Sequence, residues 1–141
     1  SELWTRGGEF GAGEFDKCRI LAVDDNVVNR KILVHILRNR CKKLTVLDLA
    51  SKAIEESRRS VYDVILMDIV MDAGQMNGID AVRFLRRSGY KGWIIAVTGH
   101  SLTESEFGCP ADGFNDSLYK PFTKYDLYQK ISDAWRSLHG F

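Results

Sequence analysis

The 141-residue chain has no C-x-x-C pair, no strong excess of charge and no apolar run long enough to cross a bilayer. Its three cysteines, Cys18, Cys41 and Cys109, are odd in number and widely spaced. That argues against a disulfide framework or a thiolate zinc site and fits a reducing compartment. A formal net charge of +1 gives neither the basic field that nucleic acid requires nor an acidic field for cationic partners. No stretch approaches the ~18 apolar residues of a membrane span. The expectation is therefore a cytoplasmic domain with no direct nucleic-acid or membrane contact, any membrane anchor lying elsewhere in a parent protein.

What is present is an ordinary globular balance, 45% hydrophobic and 28% charged, in a length suited to one domain. The opening SELWTRGGEFGAGEF is Gly-rich, aperiodic and repeats GEF. It reads as a linker or expression remnant over 1–15, leaving 16–141 as the folded domain. The basic pairs Arg58-Arg59 and Arg86-Arg87 fall on expected helices and read as solvated faces.

Five short apolar runs alternate with helical patterns. RILAV at 19–23 reads as a buried strand ending on Asp24-Asp25-Asn26. Ile32, Leu33, Ile36 and Leu37 recur at helical spacing. LTVL at 44–47 suits a strand, and Ser51 is a plausible N-cap for a helix with Ala53 and Ile54 inward. VILM at 64–67 delivers Asp68. After the aperiodic MDAGQMNG, Ile79, Val82 and Leu85 mark a helix stopping at Ser88-Gly89. WIIAV at 93–97 ends on Thr98. SLTESEFGCPADG is at best a weak helix, cut by Pro110. A short strand, 117–119, precedes Lys120-Pro121, and Thr123 caps a last helix with Leu127, Ile131 and Leu138 on one face. This alternation is the signature of βαβ units around a parallel sheet.

In such sheets ligands gather beyond the carboxyl ends of the strands. The rule brings Asp24, Asp25, Asp68, Thr98 and Lys120 to one edge. At ~4 Å and an effective dielectric near 20, each pair of like charges costs about 4 kcal/mol. A hard divalent cation, Mg²⁺ or Mn²⁺, removes that penalty and bridges to phosphoryl oxygens. A carboxylate attacking phosphorus gives an acyl phosphate, so Asp68 reads as an acceptor. Lys120 would supply charge, and Thr98 a hydroxyl, to the remaining phosphoryl oxygens.

The motifs VDDNVVNRKIL at 23–33, VILMDIVM at 64–71, AVTG at 96–99 and LYKPF at 118–122 resemble those of the response-regulator receiver domain of two-component signalling, in particular receivers attached to hybrid histidine kinases. Thr98 lies 30 positions after Asp68 and Lys120 lies 22 after Thr98, in keeping with that family. The resemblance implies a doubly wound, flavodoxin-like three-layer α/β fold with a five-stranded parallel sheet in order 2-1-3-4-5. It implies Asp68 as phosphoacceptor, Asp25 as the main metal carboxylate, Asp24 as a helper through water and the Val70 carbonyl as a backbone ligand. Thr98 would be the switch hydroxyl, Lys120 the phosphoryl partner, and Lys120-Pro121 a cis bond. The donor would be a histidine kinase or a histidine phosphotransfer protein, and the isolated domain a monomer that catalyses its own phosphorylation and dephosphorylation. Asn26 and Asn29 match the hybrid-kinase flavour of the family.

Two departures stand out. The family pattern M-P-x-M-D-G is replaced by a loop two residues longer and without the proline, in which Asp72 adds charge. Ser117 occupies the usual aromatic switch position. These favour a domain that passes phosphate onward over one that drives a conformational switch. Two competing readings are a pseudo-receiver that acts only as an interaction module and a haloacid-dehalogenase-type phosphatase. The second lacks its D-x-D and cap sequence.

Overall fold

A computed structural model describes residues 14–69, 76–99 and 112–140. Five strands, β1 (Arg19–Val23), β2 (Lys43–Leu47), β3 (Val64–Asp68), β4 (Trp93–Thr98) and β5 (Asp116–Tyr119), form one sheet. Its order is β2-β1-β3-β4-β5, with every neighbouring pair parallel. Around it lie α1 (Val27–Leu37), α2 (Ala50–Arg59), α3 (Gly78–Arg87) and α4 (Lys124–His139). The expected strand order and doubly wound architecture are both present.

The sheet divides the core in two. Side chains alternate along each strand, so Ile20, Ala22, Val64, Leu66, Ile95 and Val97 meet α1 and α4 on one face. Leu21, Val23, Ile65, Met67, Ile94 and Ala96 meet α2 and α3 on the other. β3 is buried at all five positions, which is why its sequence is almost continuously apolar.

Local chemistry sets the helix ends. Asn26, Asn77 and Thr123 cap α1, α3 and α4, each accepting from the backbone N–H three residues on. Thr123 and Asp126 complete a capping box. Ser51 is not a cap: α2 begins at Ala50 after Leu49, whose side chain makes no cap bond. Gly89, just past α3, has φ +99°, a left-handed conformation open to glycine at little cost.

Three further positions differ from the sequence reading. Phe15, assigned to the tail, is 1% exposed and packs near Tyr128, while Ser132 and Arg136 donate to the Glu14 carboxylate. Ile32 is half exposed, so only Leu33 and Leu37 of that set are buried. Arg86 is no solvated cation. Its guanidinium donates to the carbonyls of Gly113, Tyr90 and Gly92 and to Asn115 Oδ1, at 2.7–2.9 Å.

Candidate functional site

The site stands at the carboxyl edge of the sheet, where β1 and β3 lie side by side and the connections from them leave to opposite faces. Asp24 and Asp25 follow directly from β1, Asp68 ends β3, Thr98 ends β4 and Lys120 follows β5. Parallel register therefore sets all five at the same level. Asp24, Asp25 and Asp68 each offer a carboxylate oxygen, and these oxygens lie within 4.8 Å of one another. Asp24 and Asp68 are only 4% and 3% exposed, so their charges demand compensation.

Lys120 provides it. Its Nζ donates to Asp68 Oδ2 at 3.1 Å and to Asp24 Oδ2 at 3.3 Å. Burial opposes the charge on this lysine, but the Asp68 and Asp24 carboxylates outweigh it and hold the ammonium above its ordinary pKa. The Lys120 backbone is tied as well: its N–H donates to the Thr98 carbonyl at 2.6 Å, and Lys120-Pro121 is cis.

Thr98 reaches the expected edge and is fully buried, its hydroxyl donating to the Gly99 carbonyl at 3.4 Å. Val70, expected to offer its carbonyl, lies outside the described residues, as do Asp72, His100 and Pro110. Ser117 sits in β5, half buried, its N–H donating to Asp116 Oδ1.

The structure adds residues that pattern reading did not assign. Asp24 Oδ1 accepts from the Asn26 N–H at 2.9 Å, and the Asn29 Nδ2 donates to both Asp24 oxygens, at 3.4 and 3.2 Å. Arg30 donates to the Asp24 carbonyl at 2.9 Å. In the sequence Asn26 and Asn29 stood out only as part of the family resemblance, and their hold on a site acid was not visible there. Gly78, the first residue of α3, lets the helix press on β3: a Cβ there would stand 2.5 Å from the Asp68 carbonyl oxygen and 2.9 Å from Met67 Cγ.

Three clustered carboxylate oxygens are hard donors, and Mg²⁺ or Mn²⁺ fits that set. Asp24, Asn29 and Lys120 also border a cleft of about 450 Å³ whose walls are mostly apolar, among them Ile32, Leu33, Leu66, Phe122 and Leu127. The arrangement offers a buried carboxylate, a place for a divalent ion and a cation at one mouth. Among the described residues no helix is long and apolar enough to cross a membrane.

Comparison with known proteins agrees with this geometry. Over 114 residues the chain is 30% identical to the signal transduction histidine-protein kinase BarA of Escherichia coli strain K12, covering 79% of this chain and 12% of BarA. Over 113 residues it is 34% identical to transcription factor SKN7 of Candida albicans, covering 80% of this chain and 20% of SKN7. It thus spans a fifth or less of these two relatives. A crystal structure of the receiver domain of sensor histidine kinase PA1611 from Pseudomonas aeruginosa PAO1 has a magnesium ion coordinated in its active site cleft. It matches with a TM-score of 0.72 and 32% identity, over 86% of this chain and 98% of that one. Residues 20–132 match the model of the response regulator receiver domain, and the chain belongs to that family.

Proposed function

We propose that this domain is a phosphoacceptor in a two-component phosphorelay, taking a phosphoryl group from a phosphohistidine onto Asp68 and losing it by hydrolysis or onward transfer. One observation supports this above the others: a carboxylate 3% exposed, 3.1 Å from a lysine ammonium and clustered with two further acids. A structural core has no use for such a group.

In the proposed step, an Asp68 carboxylate oxygen attacks phosphorus, the P–N bond of the donor breaks, and its electron pair returns to the imidazole. An acyl phosphate forms on Asp68. Asp25 and Asp68, with the Val70 carbonyl and Asp24 acting through water, would hold Mg²⁺, which neutralises phosphoryl oxygens during transfer. Lys120 transfers its contact from the Asp68 carboxylate to a phosphoryl oxygen, and the Thr98 hydroxyl turns to donate to another. With Ser117 in place of an aromatic side chain, the domain acts as a relay more than as a switch.

The domain is taken as a monomeric, cytoplasmic unit of a larger protein such as a hybrid histidine kinase. A histidine kinase or phosphotransfer protein is its donor. Glu14 and Phe15 belong to the folded unit because they pack on α4.

Incubation with acetyl phosphate and Mg²⁺ tests the proposal. Intact mass should rise by ~80 Da, the mass of one phosphoryl group, in the wild type and not in Asp68→Asn. Failure of the wild type to form the adduct would leave the pseudo-receiver reading in place.

A further inference from the structure

Asn29 lies in the first turn of α1, and both of its recorded side-chain hydrogen bonds go to one acid of the site. The two contacts are to carboxylate oxygens, so the amide nitrogen must face Asp24. The Asn29 backbone is held in turn, its N–H donating to the Asn26 cap at 3.0 Å. Asp24 therefore accepts from the Asn26 N–H, the Asn29 amide and the Lys120 ammonium.

We propose that Asn29 is a positioning residue that keeps the Asp24 carboxylate out of direct contact with the bound cation. Asp25 and Asp68 are left as the side-chain ligands. This inference rests on the metal site proposed above. A carboxylate 4% exposed that loses a donor has little water to turn to and must find another partner. Within reach are Lys120 and, when it is bound, the cation. Mg²⁺ dehydrates reluctantly and usually retains several waters beside one or two carboxylates. An acid held back by hydrogen bonds leaves room for those waters and for a phosphoryl oxygen. Because Asn29 is neutral, it restrains Asp24 without altering the charge of the site. Arg30, which binds the Asp24 carbonyl, fixes the backbone but not the carboxylate, whose oxygens are held by the Asn26 N–H, the Lys120 ammonium and the Asn29 amide; of these three, Asn29 alone touches both oxygens.

Calorimetric titration of Mg²⁺ into wild type, Asn29→Ala, Asp24→Asn and the double variant tests this. Alanine suits a helix turn, and the backbone bond to Asn26 remains, so folding is retained. Asn29→Ala should bind Mg²⁺ about three- to tenfold more tightly, as the released carboxylate joins the ion. Adding Asn29→Ala to Asp24→Asn should change nothing, the non-additivity expected of residues acting through one another. Unchanged or weaker binding by Asn29→Ala, or the same shift in the Asp24→Asn background, overturns the assignment. In wild type saturated with Mg²⁺, the Asn29 side-chain amide protons should stay hydrogen-bonded by NMR, and their release would also overturn it. No Mg²⁺ binding by the wild type overturns the metal site and this role together. Binding by the wild type with no Asn29→Ala effect overturns this role alone.

Discussion

The Lys120 ammonium and the Asp68 carboxylate, 52 residues apart in the chain, meet at 3.1 Å, with Lys120 also reaching Asp24 at 3.3 Å. One cation thus spans two buried acids from different strands. The same contact compensates two of the three clustered carboxylates. Lys120→Met should leave both acids under-compensated. Its side chain is 30% exposed, so solvent softens the loss to about 1–3 kcal/mol. Urea unfolding with and without Mg²⁺ checks this, and Mg²⁺ should restore part of the lost stability in the variant.

The pH dependence of that pair has a definite sign. The Lys120 pKa is raised in the folded state, since the Asp68 and Asp24 charges outweigh burial. Its contribution is therefore complete below the unfolded lysine pKa of about 10.4 and is lost as pH rises through the higher folded value. The stability gap between wild type and Lys120→Met should be level from about pH 7 to 9 and shrink above about pH 10.5. A gap already shrinking between pH 7 and 9 would contradict the assignment.

Gly78→Ala tests the contact between α3 and β3. The new Cβ would meet the Asp68 carbonyl oxygen at 2.5 Å and the Ile69 Cα at 3.0 Å. Both are backbone atoms, so neither can rotate aside. Overpacking of this kind costs about 1–3 kcal/mol, enough to offset the better helix propensity of alanine. The strand end should shift, and with it the rate of adduct formation on Asp68. Gly99→Ala is the control: among the described residues nothing lies within 4 Å of its Cβ position, so unfolding stability should change by less than about 0.5 kcal/mol.

Much of this was legible before any coordinates. VILMD had to be a doubly buried strand because it carries no alternation. Once strands and helices alternated, the rule for parallel sheets gathered the acids, Thr98 and Lys120 at one edge. What escaped were choices made by distant partners. Arg86 looks like half of a solvated pair, yet Gly113 and Asn115, which claim it, lie 27 and 29 residues on. Ile32, Leu33, Ile36 and Leu37 satisfy a helical period equally well, and only the packing of α1 chooses Leu33 and Leu37. Phe15 sits in a glycine-rich stretch whose composition gives no sign of the surface on α4 that buries it. Asn29 stood out only as part of the family resemblance, and its hold on Asp24 depends on how α1 leaves β1.

Arg86 also yields a prediction independent of the site. Its guanidinium reaches four acceptors, three of them backbone carbonyls, and joins the end of α3 to the segment entering β5. Burial, by taking water from the guanidinium, lowers its pKa. Hydrogen bonds to a charged group contribute about 1.5–3 kcal/mol each at most, and some carbonyls would regain water on truncation, so Arg86→Ala should cost about 2–4 kcal/mol. Arg86→Lys should recover little, because an ammonium cannot present the planar fork that reaches Gly113, Gly92 and Asn115 together. Arg87, exposed one residue later, is the contrast: its alanine variant should stay within about 0.5 kcal/mol of wild type. Chemical denaturation of the three variants decides the matter, and an Arg86→Lys as stable as wild type would show that charge alone, and not the fork, holds this corner.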